Sequence, residues 1–279
     1  MMNSVVRRRK SLYYAGVNLV AWLLSLILLA PLLLILVNSL KTSREASYMS
    51  LIPTANPQWS NYALVIEKGK LATTFFNSLL YSVCSVLLCT LLSSMAAYVM
   101  ARNPKKLHSF LYIFIVLGIA MPINFVTLMK VMQVVRLMNT RIGIILLYTA
   151  TQIPFNVFLI HSFVSKIPEE IDEAATIDGA SALGLFLKVV LPLLKPVLVT
   201  VMVLTFLNTW NEFVMPLYFL GSSTKWPMTL AVYNFFGMYF KDWNLVCADI
   251  VLTRAPVILV YLLGQKSIVA GMTAGAVKG

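Results

Sequence analysis

The chain has 279 residues, 59% of them apolar and only 11% charged, and 22 Lys and Arg against 10 Asp and Glu leave a net charge of +12. Soluble domains carry roughly a quarter charged residues, and a globule of this size cannot hide so much apolar surface behind so few charges. These proportions exclude a soluble enzyme and a disordered chain. The basic residues form short clusters between long apolar runs, with no basic stripe interleaved with exposed aromatics, which argues against nucleic acid as a partner and for membrane lipid.

A membrane span needs about 20 apolar residues, and six charge-poor runs qualify: 11–40, 71–101, 109–129, 142–165, 189–211 and 243–264. The fifth is interrupted near its start by Lys195 and Pro196, and the sixth contains Asp249 and Arg254. The expected fold class is an all-α membrane protein with six transmembrane helices. Arg7, Arg8, Arg9 and Lys10 precede the first run and hold residues 1–10 in the cytoplasm. That run is about twice the length of a signal peptide's apolar core and has no A-x-A site, so it should remain as an anchor. Six crossings make 11–265 one transmembrane domain and return the tail, 266–279, to the cytoplasmic side. Counted by loop, 12 Lys and Arg then fall inside and 9 outside.

Pro31, Pro122, Pro154, Pro196, Pro216 and Pro256 lie in or beside these runs, where each removes a backbone donor and invites a kink. Bent helices suit a pathway that opens and closes, although membrane helices tolerate proline generally. Cys84, Cys89 and Cys247 show neither CxxC nor metal-ligand spacing and read as small packing residues. His108 and His161 have no ligand partner at i+3 or i+4, so no metal site is expected. Asp249 and Arg254 are costly inside a membrane unless they are bonded. Five residues apart, they do not share a helix face, so a bond from one of them to another helix is expected.

Five of the ten acidic residues crowd into ten positions of the polar loop 166–192: Glu169, Glu170, Asp172, Glu173 and Asp178. Pro168 suits the first turn of a helix, and the carboxylates that follow complement its dipole. A short helix over 168–178 follows. Ile171, Ala174, Ala175 and Asp178 recur at i, i+3, i+4 and i+7, a stripe whose middle is only methyl groups. Gly179 can end this helix in the left-handed region, Ser181 can cap the next, and Pro192 marks the return to the membrane. A solvated connector explains the charges, but a docking surface also explains the alanine pair.

Glu173-Ala174-Ala175, then Gly179, Val189 and Leu191-Pro192, resembles the EAA loop of ABC-importer permeases, with Val189 where that family usually has isoleucine. Asn77-Ser78, Ile177-Asp178-Gly179-Ala180, Trp210-Asn211-Glu212-Phe213 and the tail GMTAGAVKG extend the resemblance to carbohydrate permeases like the smaller membrane subunit of maltose-type systems. The resemblance implies a type I importer fold with a cytoplasmic coupling helix. Its implied partners are a second permease subunit, two ATP-binding ATPase subunits and an extracellular solute-binding protein. Glu173, Ala174, Ala175, Asp178, Gly179 and Pro192 become the candidate contact with the ATPase, and the tail 271–279 a second contact.

No G-x-x-x-x-G-K-[ST] occurs, so no nucleotide cofactor is expected on this chain, and ATP with its magnesium belongs to the partners. No catalytic residue is expected. Asn208, Asn211 and Glu212 end the fifth run beside Trp210 and Phe213, a combination suited to sugar hydroxyls and ring faces. They are the candidate substrate path, with Trp210 itself read as part of an interfacial belt. The alternatives are a stand-alone secondary carrier, an intramembrane enzyme, or a permease for a non-sugar solute such as a phosphorylated polyol. An intramembrane enzyme lacks its nucleophile, its aspartate pair and an HExxH helix. A carrier would show repeated halves and acids at mid-membrane.

Overall fold

The computed structural model describes residues 2–103, 105–235 and 242–276, the side chains of 2–13, 15 and 267–276 excepted. Every regular element among them is a helix. Two compact units are formed, one from Met1–Lys70 and Val232–Leu252, the other from Leu71–Ala231 and Thr253–Gly279.

In the first unit, α1 (Met2–Ser39) carries Pro31 and shows an apolar surface over most of its length. At its end the Lys41 ammonium is buried and donates to Asn38 Oδ1 at 3.1 Å and to the Ser50 carbonyl at 2.7 Å. Asn61, on α2 (Ser60–Lys68), donates to the Ser39 and Lys41 carbonyls at 2.8 and 2.9 Å and accepts from Asn244 at 3.0 Å. Lys41 and Asn61 are thus held by neighbouring polar groups, whereas Asn244 Oδ1 is buried with no partner among the described residues. Nearby, the Thr42 backbone N–H and hydroxyl hold the Glu45 carboxyl below its usual range, as a reciprocal capping box does.

The second unit is built on α3 (Leu71–Arg102), α6 (Arg141–Val164) and α9 (Lys195–Asn211). The buried face of α3 carries Ser78, Ser82, Ser85, Cys89, Ser93 and Ala97, small side chains at three- and four-residue spacing that let neighbouring backbones approach. Asn156 of α6, fully buried, donates to Cys89 Sγ at 3.1 Å and to Thr205 Oγ1 of α9 at 2.9 Å. One amide therefore ties three helices together in the apolar interior.

The run 109–129 is not a single helix. It forms α4 (Lys106–Leu117) and α5 (Phe125–Val134), with an irregular break at 118–124. Gly118 sits so close to α6 that a Cβ there would lie 2.9 Å from Pro154 Cγ, Pro122 removes a donor within the break, and Asn124 caps α5 by accepting from Thr127 N at 3.0 Å. The fifth run begins later than expected, at Lys195. It is preceded by α8 (Ala182–Leu193), bent from α9 by 79°, and the two prolines flanking the bend, Pro192 and Pro196, deny the ladder its donors. Between Phe186 and Val190 the hydrogen bonding widens to π geometry, which often occurs at functional sites.

After a short α10 (Val214–Phe219), the chain ends its described part in α11 (Trp243–Ala276). The helix reaches Ala276, so much of the segment expected as a tail is helical; residues 277–279 and the side chains of 267–276 lie outside the described residues. Gly264 of α11 meets α9 where a Cβ would stand 2.8 Å from Val203 Cγ1. Among the described residues, four helices are long and apolar enough to cross a membrane: Gly16–Ser39 within α1, α3, α6 and Trp243–Lys266 within α11. The bent pair α8 and α9 makes a fifth if counted as one.

Candidate functional site

The loop between α6 and α8 holds α7 (Glu170–Ile177), which begins two residues after Pro168. Glu170, Asp172 and Glu173 occupy its first turn, where carboxylates complement the dipole. Gly179 has φ +83° and no heavy atom within 4 Å of where a Cβ would be, so backbone conformation alone selects glycine there. Ser181 caps α8 by accepting from Gly184 N at 3.2 Å.

The alanine pair is divided. Ala175 packs on the apolar cluster of Ile160, Val164, Phe186 and Val190, whereas Ala174 faces outward with Glu173 and Asp178. The outward face also carries Ile177, 86% exposed, an apolar knob among acids that the sequence offers only as part of the Ile177-Asp178-Gly179-Ala180 motif. Pro192 is exposed and lies at the α8 bend.

Two further residues escaped the sequence reading. Arg102, in the last turn of α3, directs Nε to Asp172 Oδ2 at 2.7 Å and Nη1 to the Ile167 carbonyl at 3.0 Å. One turn earlier, the Tyr98 hydroxyl donates to the same Asp172 oxygen at 3.0 Å. The sequence signal is an arginine that closes an apolar run, and the loop count of basic residues treats it only as one of the inside charges.

A second feature is a cavity of about 810 Å³ between the 118–124 break, α6 and the end of α9, within the usual range for ligand pockets. Asn208 and Glu212 line it, and Asn208 Nδ2 donates to Gln152 Oε1 at 3.0 Å. Asn211 does not reach it, since its side chain donates to the Leu207 carbonyl at 2.7 Å and accepts from Arg254. Arg254 is thereby bonded to another helix, as expected of one of the two intramembrane charges. Asp249 is buried in the first unit, its Oδ1 without a hydrogen-bond partner among the described residues.

Among the described residues Glu212 is the one charged side chain in the cavity wall, and it also has a structural duty. Its Oε1 accepts from Val214 N at 2.8 Å and Met215 N at 3.0 Å, capping α10. Glu212→Ala should cost about 1 kcal/mol, whereas Glu212→Gln keeps an acceptor and should unfold close to the parent. Thermal unfolding in detergent measures this, and a glutamine variant that unfolds normally but transports poorly would separate a substrate contact from the cap.

Trp210 is not an interfacial belt residue. It is 2% exposed, stacks with Phe206, meets Phe75 edge-on and donates from Nε1 to the Thr253 carbonyl at 3.2 Å. The aromatic ring fills the helix packing and does not face lipid.

Residues 89–269, which include both the α7 loop and the cavity wall, match the family described as binding-protein-dependent transport system inner membrane component. The chain belongs to this family. The permease is 33% identical to the diacetylchitobiose uptake system permease protein NgcG of Streptomyces coelicolor, over 92% of this chain and 86% of that one. It is 32% identical to the melibiose/raffinose/stachyose import permease protein MelC of Bacillus subtilis, over 89% of this chain and 91% of that one. In fold it is similar to the crystal structure of a bacterial ABC transporter involved in the import of the acidic polysaccharide alginate. That similarity has a TM-score of 0.79 at 23% identity and covers 91% of this chain and 95% of that one. The permease is a multi-pass membrane protein of the importer class.

Proposed function

We propose that the chain forms one half of the translocation pathway of an ATP-driven sugar importer and takes its drive from cytoplasmic ATPase subunits through α7. The observation that carries this reading is the exposed acidic helix with its left-handed Gly179, in a chain of this family. Six crossings place both termini in the cytoplasm, with α4 and α5 together making the third and α8 with α9 the fifth. A second permease completes the pathway, two ATPase subunits hold ATP and magnesium, and a solute-binding protein delivers the sugar from outside.

In this reading the face of Glu173, Ala174, Ile177 and Asp178 sits in a groove of the ATPase subunit, with the carboxylates against basic side chains there and Ile177 in an apolar recess. Closure of the nucleotide-loaded ATPase pair moves α7, and the attached helices turn as rigid bodies to expose the pathway alternately to each side. Relatives named for importing di- and oligosaccharides support a sugar substrate. Among the described residues the cavity wall bears amides and one carboxylate and no cation, which favours an uncharged sugar over a uronate or a phosphorylated polyol.

The deciding experiment is uptake into vesicles holding the reconstituted importer. Uptake should require internal ATP together with the ATPase and solute-binding proteins. Accumulation driven by an ion gradient, with this chain as the sole protein, would replace the reading with a secondary carrier.

A further inference from the structure

Helix α3 is gripped at both ends by different parts of the polar chain. At one end Arg102 and Tyr98, one turn apart, converge on Asp172 Oδ2 of α7 at 2.7 and 3.0 Å, and Arg102 also holds the Ile167 carbonyl at 3.0 Å. The other carboxylate oxygen, Oδ1, is buried with no partner among the described residues, so the guanidinium is the cation that balances this acid. At the other end, Asn77 donates to the Thr224 and Trp226 carbonyls, both at 3.0 Å. The Tyr81 hydroxyl donates to the Lys225 carbonyl at 2.8 Å, and Ser78 Oγ accepts from Met228 N at 2.8 Å. Four polar contacts therefore fasten the 224–228 segment to the first turns of α3. Between Asn77 and Arg102 the helix rises about 38 Å without a break, which is more than the apolar thickness of a bilayer.

We infer that α3 is a rigid rod joining α7 at one membrane face to the 224–228 segment at the other, with Tyr98, Arg102 and Asp172 as the inner clamp and Asn77, Ser78 and Tyr81 as the outer grip. The inference rests on the proposed role of α7 in coupling and adds a route: displacement of α7 is passed to the far face through a helix that does not adjoin it in sequence. Without the clamp, α7 is held by the chain ends that lead into and out of its loop and by the packing of Ala175 on the apolar cluster, and a turn of the loop can be absorbed there. With the clamp, α3 must follow, and its outer grip carries the 224–228 backbone with it. Arg102 is a positioning residue in this scheme, touching neither nucleotide nor solute.

The test uses the complete importer in vesicles with an environment-sensitive fluorophore on Ser223→Cys, trapped with ATP, magnesium and vanadate. Trapping should shift the emission in the otherwise unaltered protein. Arg102→Ala should reduce that shift at least fivefold, and the charge-swapped pair Arg102→Asp with Asp172→Arg should restore most of it, a rescue that simple misfolding would not give. Tyr81→Phe, which removes the hydroxyl's bond to the Lys225 carbonyl at the outer grip together with its contact to Arg141, should reduce the shift without lowering ATP hydrolysis. Combining it with Arg102→Ala should reduce the shift no further, because the two contacts lie in series. An unchanged shift in Tyr81→Phe, or in an assembled Arg102→Ala, overturns the rod. So does the absence of any shift in the parent while its uptake remains ATP-dependent, and that result leaves the coupling role of α7 standing. If uptake proves independent of ATP, the coupling reading itself fails first.

Discussion

Gly179→Val is expected to lower uptake by the reconstituted importer at least tenfold while ATP hydrolysis continues. The residue sits at φ +83° immediately beyond α7. For an L-residue this region costs about 1–2 kcal/mol, and more for a β-branched one. No neighbouring atom would meet the new side chain, so relief must come from the backbone turning to negative φ. That rotation re-aims α7 relative to α8 and takes Glu173, Ala174 and Ile177 out of register with whatever they dock against. A graded series isolates this cause: asparagine, which tolerates the left-handed region, should transport best, alanine less well and valine least. The ratio of sugar moved to ATP consumed is the measurement. A valine variant that transports like the parent would remove α7 from the coupling mechanism.

Trp210→Ala is expected to destabilise the folded permease by about 3–5 kcal/mol, the range for emptying an indole-sized site in a packed interior. No hydrophobic gain holds membrane helices together once they are in lipid. The loss is therefore one of dispersion contacts and of the hydrogen bond to the Thr253 carbonyl. Phe206 at 5.4 Å and Phe75 at 5.8 Å between ring centroids would each face a void. Trp210→Phe should recover roughly half of the stability, since it restores ring contact but no donor. Unfolding midpoints in detergent would rank the three proteins, and three equal midpoints would return Trp210 to the lipid boundary.

What the sequence made legible follows from local physics. Charge-free runs are long because lipid excludes charge, so the long helices α1, α3, α6 and α11 could be read directly. The acid cluster, Gly179 and Ser181 are local signals of helix ends, and the structure has helix ends there. Hydropathy counts side chains and not backbone donors, which is why residues 109–129 read as one span although Gly118 and Pro122 interrupt it. Nor does hydropathy distinguish the lipid face of a helix from its packed face, and Trp210 was misread for that reason. Ala174 and Ala175 differ in the same way, adjacent in sequence but facing different surroundings. The bond from Arg102 to Asp172 joins residues 70 positions apart, and no local pattern encodes that pairing. The cavity likewise depends on Gln152, one of two amides in an otherwise largely apolar run, meeting Asn208 across two helices.

The seam of serine, cysteine and alanine along α3 bears on how the permease moves. Interlocking aliphatic knobs resist axial sliding, because each must climb out of its hole before the next position is reached. A seam of hydroxymethyls and methyls is nearly smooth, so steric friction along it is low. The register of this helix is therefore set by a few discrete tethers, the Asn156 amide at mid-length and the polar fastenings at each tip. Installing one leucine on the seam, at Ser82 or Ser93, would act as a brake on a sliding bearing.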